Sequence, residues 1–228
     1  MGIFRTTDWG GCAASGTREI GQTLETLVGG RTVTRFTDLI EPLSLDEAFI
    51  DLTASPDVPT AANLQDRVDR LRADIADLTG GLTASVGVAS SKLMAKIASE
   101  INKPNGVYIV QPGTEAALLG PMQVTVIPGV GPATTERLRR LGVATVEDLR
   151  AVSEDDLVRT LGQSHGASLW QLARAIDHRP VVAERETKSL SVEDTFDHDI
   201  TDRTTAKDCD NAGPGRFNAA VSHSISEE

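Results

Sequence analysis

What most limits the folds open to this 228-residue chain is a change of rhythm in its apolar residues. Between Thr34 and Val110 they fall first into short runs, then recur at spacings of three and four, then return to runs. Over residues 115–177 only the helical spacing is left. Short runs bounded by turn residues make strands, and three–four spacings make helices with one apolar face. Phe36, Leu39 and Ile40 precede Glu41-Pro42, and Ala48 to Leu52 follow Ser44-Leu45-Asp46-Glu47. That reads as two short strands joined in a hairpin. Leu64, Val68, Leu71, Ile75 and Leu78 predict an amphipathic helix over 60–79, stopped by Gly80-Gly81. Leu82 to Ala89 is almost wholly apolar or small, as in a central strand. Ser90 or Ser91 caps a helix to about Asn102, Lys103-Pro104-Asn105-Gly106 turns, and Val107 to Val110 is a further strand. Strand, strand, helix, strand, helix, strand is most of a split βαβ sandwich, an α+β architecture.

The flanking segments are weaker. Residues 1–33 are interrupted by Gly10, Gly11, Gly16, Gly21, Gly29 and Gly30. They are expected to be weakly structured, with a short helix near 18–28 and with the sandwich's first strand and helix weak or missing. The expected division is then 34–112 for the partial sheet domain, 113–178 for a small all-helical domain and 179–188 for a polar linker. Residues 189–228 hold one strand at 189–197 and a polar, acidic tail with the composition of disorder. Two distant cysteines, Cys12 and Cys209, exclude a disulfide framework. No apolar run approaches the ~18 residues of a membrane span. Residues 1–30 carry five charges and no continuous apolar stretch, so no secretory signal is expected and the location is read as cytoplasmic.

The formal charge of −11 argues at first against a nucleic-acid partner. Its distribution does not. Residues 41–87 and 184–228 carry −6 each, while residues 88–150 carry seven bases against five acids. The bases cluster as Lys92, Lys96 and Lys103, then Arg137, Arg139 and Arg140.

Three motifs carry chemistry. Asp46 and Glu47 are adjacent carboxylates at the hairpin, read either as a solvated turn or as hard-oxygen ligands for Mg²⁺. Ser85 to Lys92 joins strand to helix through small residues, with Lys92 and Lys96 on one helical face, either solvated or aimed at an anion. Its glycine spacing is wrong for a P-loop. Ile127-Pro128-Gly129-Val130-Gly131-Pro132 leads into a helix bearing the three arginines, and a second helical segment follows Gly142. That is a helix-hairpin-helix, whose glycines let backbone N–H groups reach a DNA phosphate without reading bases.

Taken in order, these stretches resemble a Y-family DNA polymerase of the DNA polymerase IV type. The similarity runs through Glu41 to Leu52, Ser85 to Gly106, Ile127 to Leu149 and Lys188 to Phe196, roughly 70% of the chain. It implies an incomplete ferredoxin-like palm, a small all-helical thumb with the helix-hairpin-helix, and the start of a little finger domain. It also implies translesion DNA synthesis on a primer-template, with deoxynucleoside triphosphates as substrates and two Mg²⁺ ions as cofactors. Asp46 and Glu47 match two of three metal-binding, catalytic carboxylates. Lys103 matches a triphosphate contact. Gly129 and Gly131, with Arg137, Arg139 and Arg140, match the thumb's DNA-binding hairpin. A sliding clamp is a further implied partner, although no clamp-binding motif is present; no membrane partner is expected. The family's opening Asp-x-Asp-x-Phe motif has no counterpart, so Asp8 is not given the third ligand's role. The reading is therefore a truncated copy, impaired in catalysis. The alternative is a non-catalytic DNA-binding remnant acting through the thumb.

Overall fold

The computed structural model describes residues 2–6, 37, 39–43, 47–55, 60 and 62–183. Five strands form one sheet: β1 (Gly2–Thr6), β2 (Ile40–Pro42), β3 (Glu47–Ile50), β4 (Ala84–Val88) and β5 (Val107–Ile109). Their order is β2-β3-β1-β4-β5. β1 lies antiparallel to both β3 and β4, β2 antiparallel to β3, and β5 parallel to β4. The first four strands thus have the complete ferredoxin-like order, and β5 adds a parallel edge.

This corrects the expectation for residues 1–33. Gly2–Thr6 is the middle strand of the sheet, not a weak or missing one. β1 owes its place to two flanking backbone edges, and a strand's preference is set more by such context than by its own side chains. Residues 7–36, with the predicted helix near 18–28, lie outside the described residues, as does the predicted strand at 189–197.

Register decides what each face of the sheet carries. Phe49 stands opposite Glu41 and Ile3, Ile3 opposite Gly87, and Gly87 opposite Tyr108. Alternation puts Glu47 on the same face as Phe49, and Ala48 and Ile50 on the other. The second face is covered by α1 (Leu64–Thr79), whose Val68, Leu71 and Ile75 pack on Ile40, Ala48, Ile50, Ala84, Val86 and Val88. Gly80, at φ 71°, ends α1 in the left-handed conformation. The first face is covered by α2 (Lys92–Ile101), capped by the Ser91 side chain. Gly87 makes this possible. A Cβ there would lie 2.1 Å from the Ala95 carbonyl oxygen, so only glycine lets α2 sit directly on β4.

Beyond β5 come α3 (Glu115–Leu119), a 3-10 turn at Val124–Val126, α4 (Pro132–Arg140), α5 (Val146–Ala151), α6 (Glu154–Leu161) and α7 (Gln163–Ala173). The predicted run of short helices is what the chain forms. Their Leu119, Ile127, Leu138, Val146, Leu149, Leu157 and Leu169 share one core with Leu93, Met94 and Ile97 of α2. Sheet domain and helical domain are therefore joined through one apolar core, to which α2 and Phe49, Ala89 and Val110 contribute from the sheet side. Among the described residues, no helix is long and apolar enough to cross a membrane.

Candidate active site and nucleic-acid interface

Face alternation places two acids under α2. Glu41 on β2 is 0% exposed and pairs with Lys92, whose ammonium also lies 5.0 Å from the centre of the Phe49 ring. The backbone N–H of Val182 donates to the same Glu41 carboxylate at 2.9 Å. Glu47 on β3, also buried, pairs with Lys96 one turn further along α2. The two lysines that the sequence places on one helical face each meet an anion of the protein itself, a strand carboxylate. Among the missed residues, Glu41 reads in sequence as a strand end. The i,i+4 lysine pair opposite two strand acids was the available signal.

Asp46 lies outside the described residues, so the carboxylate pair is seen here through Glu47 alone. Among the described residues, no three His, Cys, Asp or Glu side chains cluster as a metal site. The chemistry of the donor set still fits Mg²⁺. That ion is commonly held by one or two carboxylates together with substrate phosphates, and Glu47 presents a buried hard-oxygen donor that already needs a cation beside it.

Beside Lys96 opens a cleft of about 480 Å³ between α2 and the helical domain. Lys96, Ile97, Glu100 and Ile101 form one wall, and Met122, Gln123, Thr125 and Val126 the other. Lys103 is paired with Glu100 at 2.7 Å, so its side chain points back along α2. The Lys103-Pro104-Asn105-Gly106 turn is fastened from behind by Arg72 of α1. Arg72 donates to the Ala84 carbonyl at 3.0 Å and to both oxygens of Asn105.

Beside the shared apolar core, the joint between the two parts holds a polar contact. Asp177, its side chain 1% exposed, accepts from the Leu93 N–H at the start of α2 at 2.8 Å and from Arg179 at 2.7 Å. Burial alone would raise the Asp177 carboxyl. The Arg179 guanidinium and the N–H groups of Leu93 and Arg179 outweigh it, and hold the carboxyl below its usual range. Within the expected linker 179–188, Arg179 pairs with the neighbouring Asp177, and the Val182 N–H ties the segment to Glu41 of the sheet domain.

At the predicted hairpin, Val130 N–H donates to the Ile127 carbonyl at 3.0 Å, and Gly129 takes φ 94°. Gly131 is the N-cap of α4, and no side chain caps that helix. The first N–H groups of a helix have no intrahelical partner. A Cβ at Gly129 or Gly131 would meet nothing within 4 Å, so the loop faces open space. Arg137, Arg139 and Arg140 are exposed in the last turn of α4. Arg139 and Arg140 pair with Glu136 at 3.0 and 3.5 Å. Arg139's hydrogen bond keeps the Glu136 carboxyl below its usual value. Loop and arginines therefore sit at opposite ends of one nine-residue helix.

The comparisons agree with this layout. Residues 29–100 match the impB/mucB/samB family, and residues 125–177 match the thumb domain of DNA polymerase iota. A DNA polymerase IV of Streptomyces coelicolor is 54% identical over 173 residues, covering 76% of this chain and 36% of that protein. A DNA polymerase IV of Pseudomonas aeruginosa is 44% identical, covering 73% and 47%. Among solved structures, DinB from Sulfolobus solfataricus superposes with a TM-score of 0.64 at 26% identity, over 72% of this chain and 47% of that one. An insertion ternary complex of Dbh DNA polymerase gives 0.64 at 26% identity, with the same coverage. The chain spans between a third and a half of the length of these relatives. The chain is thus similar to the Y family of DNA polymerases in both parts, its sheet to their ferredoxin-like palm and its helices to their helix-hairpin-helix thumb.

Proposed function

We propose that this chain supplies the palm and thumb of a DNA-directed DNA polymerase for translesion synthesis and repair. In that reaction a primer 3′ hydroxyl attacks the α-phosphate of a deoxynucleoside triphosphate and pyrophosphate leaves. The observation that carries the reading is Glu47. It is a buried acid on the palm hairpin, and its partner Lys96 lines the cleft between palm and thumb. Glu47, with Asp46 beside it in sequence, would hold the divalent ions. When bound, such ions stabilise charge on the attacking and leaving oxygens. Lys103 exchanges Glu100 for the triphosphate, a small cost for an exposed pair one turn apart. The uncapped start of α4 at Gly131 takes a DNA phosphate, and Arg137, Arg139 and Arg140 take further phosphates.

The sequence holds no Asp-x-Asp-x-Phe motif to supply a third carboxylate. In a site built on preorganised charge, one missing group costs about 10²-fold or more in rate. Slow incorporation is therefore expected. A single-nucleotide primer-extension assay with Mg²⁺ tests this. Slow insertion by the chain, abolished in Glu47→Gln, supports a catalytic palm. Tight primer-template binding with equal traces of insertion in chain and variant would overturn it. That second result favours the other reading, a DNA-binding thumb without catalysis, for which the open Gly129–Gly131 loop is the specific observation.

A further inference from the structure

We infer that Lys96 is a built-in counter-ion for Glu47 which a divalent cation has to displace, so that ammonium and metal compete for one carboxylate. The inference rests on the reading of Glu47 as a metal ligand and adds a residue to it. Two lysines one turn apart on α2 pair with two acids on neighbouring strands, yet the pairs are built differently. In the Lys92–Glu41 pair the side chains are 5% and 0% exposed, and the carboxylate is closed off by the Val182 N–H. In the Lys96–Glu47 pair they are 31% and 10% exposed, and Lys96 also lines the cleft. The first pair is sealed; the second opens on solvent at the ammonium end.

A buried carboxylate left without a cation is strongly unfavourable. Lys96 removes that penalty while no metal is present and holds the carboxylate in one place. A divalent ion carries twice the charge in a smaller radius, so it replaces the ammonium. The displaced side chain has somewhere to go, because Lys96 already lines the cleft, where its ammonium meets solvent. Lys96 is thus a positioning residue. It keeps Glu47 ordered before the ion arrives, and afterwards presents a cation to the cleft.

The test is titration of the full chain with Mg²⁺ by calorimetry and with Mn²⁺ by electron paramagnetic resonance, with neither DNA nor nucleotide added. Lys96→Met is expected to bind the ion several-fold more tightly, Lys96→Arg no more tightly than the parent, and Glu47→Gln to lose the ion. Circular dichroism checks each fold, and Lys96→Gln stands in if the Met variant fails to fold. A second readout is amine labelling followed by mass spectrometry. Saturating Mg²⁺ is expected to raise the labelling of Lys96 several-fold and to leave Lys92 unchanged. Unchanged affinity in the folded Lys96 variants, or unchanged labelling of Lys96 in metal-bound chain, would overturn the competition alone. Absence of divalent binding in parent and Lys96 variants alike would overturn the metal role of Glu47, and the inference with it.

Discussion

Glu41 is sealed from water on the thumb-facing side of the sheet, where Lys92 and the Val182 N–H meet its carboxylate. Removing one partner of such a pair leaves an uncompensated buried charge. Lys92→Met is expected to cost about 3–5 kcal/mol, while Lys92→Met combined with Glu41→Leu costs much less. Urea denaturation of the two variants measures the difference. Asp177 makes a pH-dependent contribution at the same joint. Its folded-state pKa is depressed below the ordinary 3.8, so its stabilisation is in place above that value and is lost as pH falls through the folded value. Urea midpoints between pH 2 and 5 are expected to fall less steeply in Asp177→Asn than in the parent. A parallel pair of curves would show that Asp177 is not linked to folding.

At the scale of an element, two glycines separate packing from binding. Gly87 lies under α2, and a methyl group there meets the Ala95 carbonyl oxygen and the Ser99 nitrogen at 2.1 and 2.3 Å. Gly87→Ala is expected to destabilise by about 3 kcal/mol or to prevent folding, read by thermal melting. Gly131 has an ordinary φ of −84°, and an added Cβ meets nothing within 4 Å. Gly131→Ala is expected to change stability by less than about 0.5 kcal/mol while weakening primer-template binding, read by fluorescence anisotropy. Equal DNA affinity in that variant would remove the loop from the interface. These elements also mark what the sequence made legible. The palm hairpin, α1, β4, α2, β5 and the helix-hairpin-helix all follow from apolar spacing and turn residues, α1 because it buries one face and β4 because it buries both. β1 did not, since a five-residue middle strand between two backbone edges needs no pattern of its own. Helical spacing puts Lys92 and Lys96 on one face of α2, but it says nothing about which charge waits for them on the sheet. The motifs located Glu47, but its pairing with Lys96 across 49 residues is a tertiary fact.

For the molecule as a whole, a charge of −11 opposes association with DNA, so the proposed binding would rest on a few local bases. If three arginines of α4 each neutralise one phosphate, the logarithm of the association constant falls with that of salt concentration at a slope of about −3. Arg139→Ala or Arg140→Ala is expected to make the slope shallower by about one unit and to weaken binding about equally on all sequences. Glu47→Gln is expected to leave the slope unchanged. A parent slope near zero would point away from phosphate contacts altogether. The sheet has a last consequence, which concerns time. Its middle strand is the earliest in the chain, while the strands flanking it are Glu47–Ile50 and Ala84–Val88. On the ribosome, Gly2–Thr6 emerges long before either edge exists, and contacts so distant in sequence are slow to form. The palm cannot close until Val88 has left the exit tunnel, so a pause in translation before that point would leave the opening segment without a seat.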